Sequence, residues 1–407
     1  MKTTAPNPSG GSFGPLSSYI NPYLAHVKAQ GFAVGSFREQ LHVLKLCGRW
    51  MNRTGHEVHD LDEAAMLHCL RLVSRRGYGR NAGAATLRRL LALLRSLGLT
   101  PPATPPRQTS LERLVGEYER FLLNERNLAF GSVGHARLTA RRFLTETFGD
   151  GPLTFSKLRA PDVTAFIQRH AHDHGPFAAR HLVRGMRSML RYLYYKGLID
   201  TDLSLAVPTV ASWRLSTLPK HLPAAEVRQL LRHCDRKTAL GRRNYAILLL
   251  LARLGLRAGE VIKLRLEDVD WENARLTVCG KGDRWAQLPL PADVAKAIAN
   301  YLRHDRPRCS CRQLFIRNYA PIEGFRRAGA MSNMVKRALQ QAGVVSGRNG
   351  AHLLRHSLAT DMLRKGASLA EIGEVLRHRS VDTTAIYAKV DLTSLRALAL
   401  PWPGGAR

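Results

Sequence analysis

Two breaks limit how this chain can fold. The Pro-rich run TPPATPPRQTS occupies residues 100–110, and residues 201–222 hold Pro208 and Pro219 without clear periodicity. Proline removes a backbone donor and fixes φ, so neither stretch continues a helix. The 407 residues are too many for one ordinary core, and the breaks divide them into separate blocks. Residues 1–18 are rich in Pro, Gly and Ser, and disorder is expected there. Residues 19–99 and 109–205 read as helical modules, joined by linkers at 100–108 and 206–222. Residues 223–395 form the last domain, and 396–407 a tail.

The first two blocks resemble each other. YLAHVKAQGFAVGSFREQLHVLKLCGRWM aligns with YERFLLNERNLAFGSVGHARLTARRFLTE: a helix opening on Tyr, a Gly-Ser turn, then a second amphipathic helix. Gly35-Ser36 and Gly131-Ser132 are 96 residues apart (131 − 35), and the blocks end alike in LLRSLGL and LRYLYYKGL. This is the pattern of a duplicated module of short helices.

The last domain begins with a proline-started helix, PAAEVRQLLRHC. YAILLLLA, residues 245–252, is too short to span a bilayer and reads as a buried helix. ARLTVCGKGDRWAQLPLP alternates and turns at Gly280-Lys281-Gly282-Asp283, which predicts a hairpin. After residue 292 the pattern is helical to the end. The fold class is therefore mainly α with a small β-sheet.

Composition bears on the partner. Lys and Arg number 62 against 31 acidic residues, and the formal charge of +31 is spread along the chain. A field of that size suits a polyanion, nucleic acid first. In the second block Arg137, Arg141, Arg142, Arg184, Arg187 and Arg191 lie on helical faces near Tyr192, Tyr194 and Tyr195, a mixture suited to DNA phosphates. The six scattered cysteines make no disulfide framework and fit a reducing cytosol. Cys309 and Cys311, with His304 nearby, lack a second pair for zinc. HAHDHG at 170–175 reads as a polar helix end, and LEDVDWE at 266–272 as a turn between helix and strand. No G-x-x-x-x-G-K-[ST] loop is present. No metal, cofactor or membrane anchor is expected.

Four pieces of the last domain carry chemistry. LGLRAGEV presents Arg257 at a Gly-bracketed turn, with Glu260 three residues on as a structural partner. Lys281 sits at the hairpin tip. HLLRHSLAT puts His352 and Arg355 three apart, on one helical face, where both can reach one anion. LRHRSVDTTAIYAKV places His378 nine residues before Tyr387, with Asp382 as the expected cap of the helix carrying that tyrosine. His356 is left outside the set because it follows Arg355 and either points away or supports the set from behind.

The order Arg, Lys, His-x-x-Arg, His, Tyr resembles the tyrosine recombinases of the phage-integrase family. The likeness covers roughly residues 223–390, and more loosely 109–200, which is similar to the family's SAM-like core-binding domain. It implies a clamp of two domains on duplex DNA, with residues 19–99 as an extra SAM-like module for DNA binding or assembly. It implies that Tyr387 attacks a phosphodiester and forms a 3′-phosphotyrosine link. Arg257 and Arg355 then hold the phosphate oxygens, His352 and His378 add hydrogen bonds and proton transfer, and Lys281 protonates the leaving 5′ oxygen. It further implies a homotetramer on paired sites, with sister recombinases or an accessory factor as further partners, acting in a bacterial cytoplasm. One departure is Arg377, where many members have glycine. The forms LRHRSVDTTAIYAKVD and LALPWPGG resemble recombinases of transposable elements. An apolar stripe of Leu392, Leu395, Leu398 and Leu400 is expected to dock on a neighbouring protomer. Two readings stay open beside recombination: strand relaxation of the type IB topoisomerase kind, and a catalytically silent DNA-binding regulator.

Overall fold

The computed structural model describes residues 13–75, 80–103, 109–149, 151–171, 175–210, 218–280, 282–347 and 350–390. Residues 1–12 and 391–407 lie outside that set, and with them the leucine stripe of the tail and most of the stretch expected to be disordered. Residues 13–18 depart from that expectation, because Phe13 and Leu16 are buried in the core of the first helical block and a 3₁₀ turn spans Gly14–Tyr19. The chain divides into two compact units. Thr104–Ser216 is one, and Met1–Ala103 with Thr217–Arg407 is the other.

The first helical block runs α1 (Ile20–Ala29), α2 (Val34–Thr54), α3 (Glu63–Arg75) and α4 (Arg80–Ser96). With 21 residues, α2 is longer than the short helices expected here. Its buried Phe37, Leu44, Cys47 and Met51 keep one face against the core along its whole length. The second unit runs α5 (Ser110–Arg120), α6 (Phe130–Phe148), α7 (Ala160–Ala171) and α8 (Pro176–Tyr195). Thr109 caps α5 by accepting from the Glu112 amide, and α5 runs on into a π-turn at Phe121–Glu125. The core of this unit gathers Tyr118, Phe143, Phe166, Met186 and Leu190.

The two blocks share details that the sequence likeness foreshadows. Gly35-Ser36 and Gly131-Ser132 occupy the same place, the second and third residues of α2 and α6. A 3₁₀ turn precedes the third helix of each, at Val58–Asp60 and Phe155–Lys157. Both fourth helices end on a left-handed glycine, Gly98 (φ +71°) and Gly197 (φ +64°). The residue after each glycine donates back to the helix, Leu99 to Leu94 and Leu198 to Leu193, both at 3.0 Å. That closure needs positive φ, which glycine adopts without a Cβ clash.

In the other unit, α9 (Ala224–Arg232) leads to α10 (Ala239–Arg253), then α11 (Ala258–Lys263). Residues 246–252 of α10 are buried on every side, as the unbroken apolar run requires, and the helix packs against α12 (Ala292–His304) and α14 (Ala351–Arg364). Strands β1 (Val269–Asp270), β2 (Arg275–Cys279) and β3 (Trp285–Pro289) form an antiparallel sheet in the order β1-β2-β3. Leu276 faces Leu288 across the expected hairpin, and Leu276 and Val278 seat its inner face in the core. The segment LEDVDWE contributes a 3₁₀ turn and then β1, so it is partly strand rather than only a turn.

The sequence predicts helix from 292 onward, and residues 305–328 depart from it. Prolines 307 and 321 interrupt the ladder, and the chain makes isolated bridges instead, Arg265 with Gln313 and Ile316 with Gly324. Side chains replace the helical partners: half-buried Arg306 donates to the Gln313 carbonyl at 2.8 Å, and buried Arg243 to that of Ile316 at 3.0 Å. Within the same unit, the Ile322 amide donates to the Gln30 carbonyl at the end of α1, at 3.0 Å. Helix returns with α13 (Gly329–Gln341), α14, α15 (Leu369–Leu376) and α16 (Val381–Thr384), and a 3₁₀ turn follows at Ala385–Val390.

Candidate active site

Three segments meet at one point. The turn after α10 passes through Gly255 (φ +57°), where a Cβ would stand 2.7 Å from the Leu376 side chain. Glycine is thus required for both conformation and space. The turn delivers Arg257 to the start of α11, and Glu260 reaches back to accept from the Arg257 amide at 2.9 Å. The same carboxylate pairs with the Arg257 guanidinium at 2.7 Å and with Arg377 at 3.0 Å. Glu260 is therefore a structural partner, as expected, but it serves two arginines. Burial by itself pushes its pKa up; hydrogen bonds from Arg257 and the field of Arg377 outweigh that and hold it below the usual carboxylate range.

Arg355 comes from α14 and is almost wholly buried, 3% exposed. One of its Nη atoms donates to the Gly255 carbonyl and the other to that of Leu376. Burial, then the neighbouring charges of Arg257 and Arg377, pull its pKa down to about 9. It remains protonated at neutral pH. Arg257, Arg355 and Arg377 set three guanidiniums against the single carboxylate of Glu260, a local surplus that an anion would neutralise.

Arg377 closes α15 in the left-handed region at φ +54°. Its side chain pairs with Glu260, and its carbonyl accepts from Arg257 at 3.5 Å. Arg377→Gly and Arg377→Ala both delete the ion pair, but only alanine keeps the backbone cost. The glycine variant should be more stable by about 1 kcal/mol, read from urea unfolding midpoints. Equal midpoints would show that the left-handed turn carries no strain.

Ser380, not Asp382, caps α16: its hydroxyl accepts from the Asp382 amide at 3.3 Å. The shorter side chain stands at the residue with extended backbone, where a cap must be. Tyr387 sits on the 3₁₀ turn beyond α16, 1% exposed, with Ala359, Ile372 and Leu376 around it. Burial pushes its phenol up to about 12, against the opposing pull of Arg355 and Arg257. The His378 ring lies parallel to the Tyr387 ring, interplanar angle 4°, centroids 6.4 Å apart. Its Nδ1 is hydrogen-bonded to the buried Thr384 hydroxyl at 2.7 Å, so its orientation is fixed.

Burial, then Arg355 and Arg257, lower the His378 pKa to about 4, so this ring is neutral at pH 7. A histidine lowered from its unfolded value of about 6.5 binds its proton in the unfolded chain first. Its contribution to stability is whole above that value and is lost as pH falls from about 6.5 towards 4. The melting temperature of wild type should drop more steeply across that window than that of His378→Gln. Parallel curves would contradict the assignment.

His352 lies exposed in the first turn of α14, its ring 6.4 Å from that of His356. Lys281 falls outside the described residues, between Gly280 and the left-handed Gly282-Asp283 of the predicted turn. The structure thus gathers Arg257, Arg355, His378 and Tyr387, with His352 on the adjoining helix turn. It also brings in a residue that the sequence reading set aside. His356 Nδ1 lies 2.8 Å from the Tyr387 hydroxyl. Its spacing of four from His352 was the only signal in the sequence.

The six arginines of the second unit fall into two groups. On α6, Arg137, Arg141 and Arg142 are paired with Glu119, Glu112 and Glu146 respectively. On α8, Arg184, Arg187 and Arg191 line a cleft of about 620 Å³ with Arg126, Tyr192 and Tyr195. Arg187 donates to the Val207 carbonyl at 2.9 Å and Arg191 to the Ser204 hydroxyl at 3.3 Å. His170 of the HAHDHG run is buried and bonds Glu146 at 2.8 Å; residues 172–174 lie outside the described set. Among the described residues no group of three or more His, Cys, Asp or Glu side chains converges as a metal site, and no helix is long and apolar enough to cross a membrane.

A cationic pocket is closed over a buried tyrosine, on a mainly helical scaffold with one small sheet. The phage integrase family profile matches residues 220–393. The protein named "Putative integrase/recombinase y4rA" of Sinorhizobium fredii is 43% identical over 397 residues, covering 97% of this chain and 96% of that protein. Tyrosine recombinase XerD of Mycobacterium tuberculosis is 32% identical over 306 residues, covering 70% and 95%. Among solved structures, the XerH site-specific recombinase in a post-cleavage complex with its palindromic difH substrate matches with TM-score 0.56 at 20% identity, covering 73% of this chain and 91% of that one. The chain belongs to the phage integrase family, and it is a tyrosine-type site-specific recombinase.

Proposed function

We propose that this recombinase cuts and rejoins duplex DNA through a covalent 3′-phosphate link to Tyr387, and so integrates, excises or transposes a mobile element. The observation that carries the reading is the placement of Tyr387 in the field of Arg355 and Arg257, inside a pocket where three guanidiniums meet the single carboxylate of Glu260. Arg257 and Arg355 hold the non-bridging oxygens as charge builds on them. His378, neutral and oriented by Thr384, and His352 add hydrogen bonds to the phosphate. Lys281 protonates the leaving 5′ oxygen. The link conserves the phosphodiester's energy, so the 5′ hydroxyl of another strand can reverse it.

Residues 109–205 act as the core-binding domain and 223–395 as the catalytic domain. Residues 19–99 are an added helical module. Arg184, Arg187 and Arg191 face the DNA backbone more directly than Arg137, Arg141 and Arg142, which begin paired with carboxylates. Two sites and four strand cuts call for a homotetramer on paired DNA, with sister recombinases or an accessory factor as further partners, in the bacterial cytoplasm. The mobile-element reading is supported by likeness to the Tn1549 transposon integrase bound to transposon right-end DNA, TM-score 0.50 at 15% identity.

The test is direct. The protein is incubated with the DNA that flanks its own coding sequence, recovered under denaturing conditions, and the attached strands and peptide are sequenced. Attachment at Tyr387 supports the proposal. DNA binding without any adduct would transfer the reading to a silent regulator, and relaxation without exchange between two marked duplexes to a topoisomerase.

A further inference from the structure

The phenol of Tyr387 must lose a proton as it attacks, and its burial works against that loss. At neutral pH only a fraction on the order of 10⁻⁵ of a phenol near 12 is ionised. Arg257 and Arg355 stabilise the anion once formed, but a guanidinium accepts no proton. Some group within hydrogen-bond reach of the Tyr387 oxygen has to take it.

His356 stands there. His356 Nδ1 is 2.8 Å from the Tyr387 oxygen, and the two ring centroids are 5.7 Å apart. His356 lies one residue after Arg355 on α14, so one helix turn supplies both the phosphate clamp and the contact to the nucleophile. His378 is placed differently, with its Nδ1 already taken up by Thr384 and its ring 6.4 Å from that of Tyr387. On its own helix His356 follows Arg355 directly and lies one turn from His352, ring centroids 6.4 Å apart; Tyr387 and His378 approach it from beyond α15.

We infer that His356 is the proton acceptor for the Tyr387 hydroxyl in the cleavage step. The inference rests on Tyr387 being the nucleophile. In its neutral form with the proton on Nε2, His356 receives the phenolic proton at Nδ1 as the bond from the Tyr387 oxygen to phosphorus forms. The bond from phosphorus to the 5′ oxygen breaks, and that oxygen takes its proton from the separate acid, Lys281. In the reverse step the His356 imidazolium returns its proton to the departing phenoxide. Forward and reverse rates therefore depend on His356 alike, and the equilibrium amount of adduct does not.

The experiment uses the full-length protein and a nicked duplex carrying its cleavage site, on which the adduct accumulates. His356→Asn keeps a hydrogen-bonding atom near Nδ1 but takes no proton. Single-turnover adduct formation is measured from acid to alkaline pH, on an ordinary phosphodiester and on one with sulfur at the bridging 5′ position, which leaves without protonation. The expected result is adduct formation about 10²-fold slower for His356→Asn at neutral pH on both substrates, with DNA binding unchanged and the deficit narrowing as pH rises. Wild-type rates in His356→Asn overturn the inference. So does a deficit that ignores pH, which marks a positioning role, or one that the sulfur substrate removes, which places His356 on the leaving-group side. Lys281→Ala is the comparison that sulfur should rescue. No adduct from wild type would sink the nucleophile assignment itself; adduct from wild type with an unimpaired His356→Asn sinks this inference alone.

Discussion

Tyr387→Phe will form no covalent DNA adduct and will bind its site as tightly as wild type. The ring of Tyr387 is packed with Ala359, Ile372 and Leu376, and phenylalanine fills the same volume. What disappears is the hydroxyl and its hydrogen bond to His356. A single hydrogen bond of that kind contributes about 1 kcal/mol, a shift of a few degrees in melting temperature for a domain of this size. Adduct formation, by contrast, should fall below detection, because a phenyl ring offers no oxygen to phosphorus. Denaturing gels of the mutant beside wild type, with a binding titration and a melt on the same preparations, separate these effects. Adduct that persists in Tyr387→Phe would mean that another side chain is the nucleophile. Adduct lost together with folding would leave Tyr387 as a core residue, and the match of ring volumes argues against that outcome.

Much of this site was legible because its residues are marked by what surrounds them locally. Arg257 stands two residues after Gly255 in a Gly-bracketed turn, and the i, i+3 spacing of His352 and Arg355 shows on any helix. The hairpin declared itself through alternation and Gly280–Asp283, although β1, only two residues long, was too short to alternate. What stayed hidden depends on chain segments far apart in sequence. Glu260 and Arg377 are 117 residues apart, and His356 and Tyr387 are 31 apart, so no local pattern predicts either pair. His356 was set aside because neighbours on a helix point about 100° apart. That argument holds for α14 alone and fails once the turn carrying Tyr387 packs beside it. The irregular stretch 305–328 had its prolines in view. Its bridges to residue 265 and within itself are tertiary choices, made possible by Arg243 and Arg306, which satisfy its carbonyls.

Arg355 is where catalysis and folding share one side chain, and its replacement should damage both. The guanidinium joins the turn at Gly255 to the end of α15 at Leu376 through two carbonyl acceptors, while α14 supplies its backbone. In Arg355→Ala both carbonyls lose their partner in a buried place, at about 1–3 kcal/mol each, and the emptied volume adds to that. A loss of about 3–5 kcal/mol follows, with adduct formation down by at least about 10²–10³-fold from the missing phosphate donor. Arg355→Lys keeps the charge, but one ammonium cannot span two acceptors placed for a planar fork. It should recover part of the stability and little of the rate. Arg257→Ala is the contrasting case: its side chain is 30% exposed and Glu260 retains Arg377, so activity should collapse with a smaller loss of stability. Urea unfolding of the three variants, beside single-turnover adduct assays, reads both quantities. If Arg355→Ala unfolds at the wild-type midpoint, the two carbonyl bonds do not hold the pocket together, and its arginines are organised by Glu260 alone.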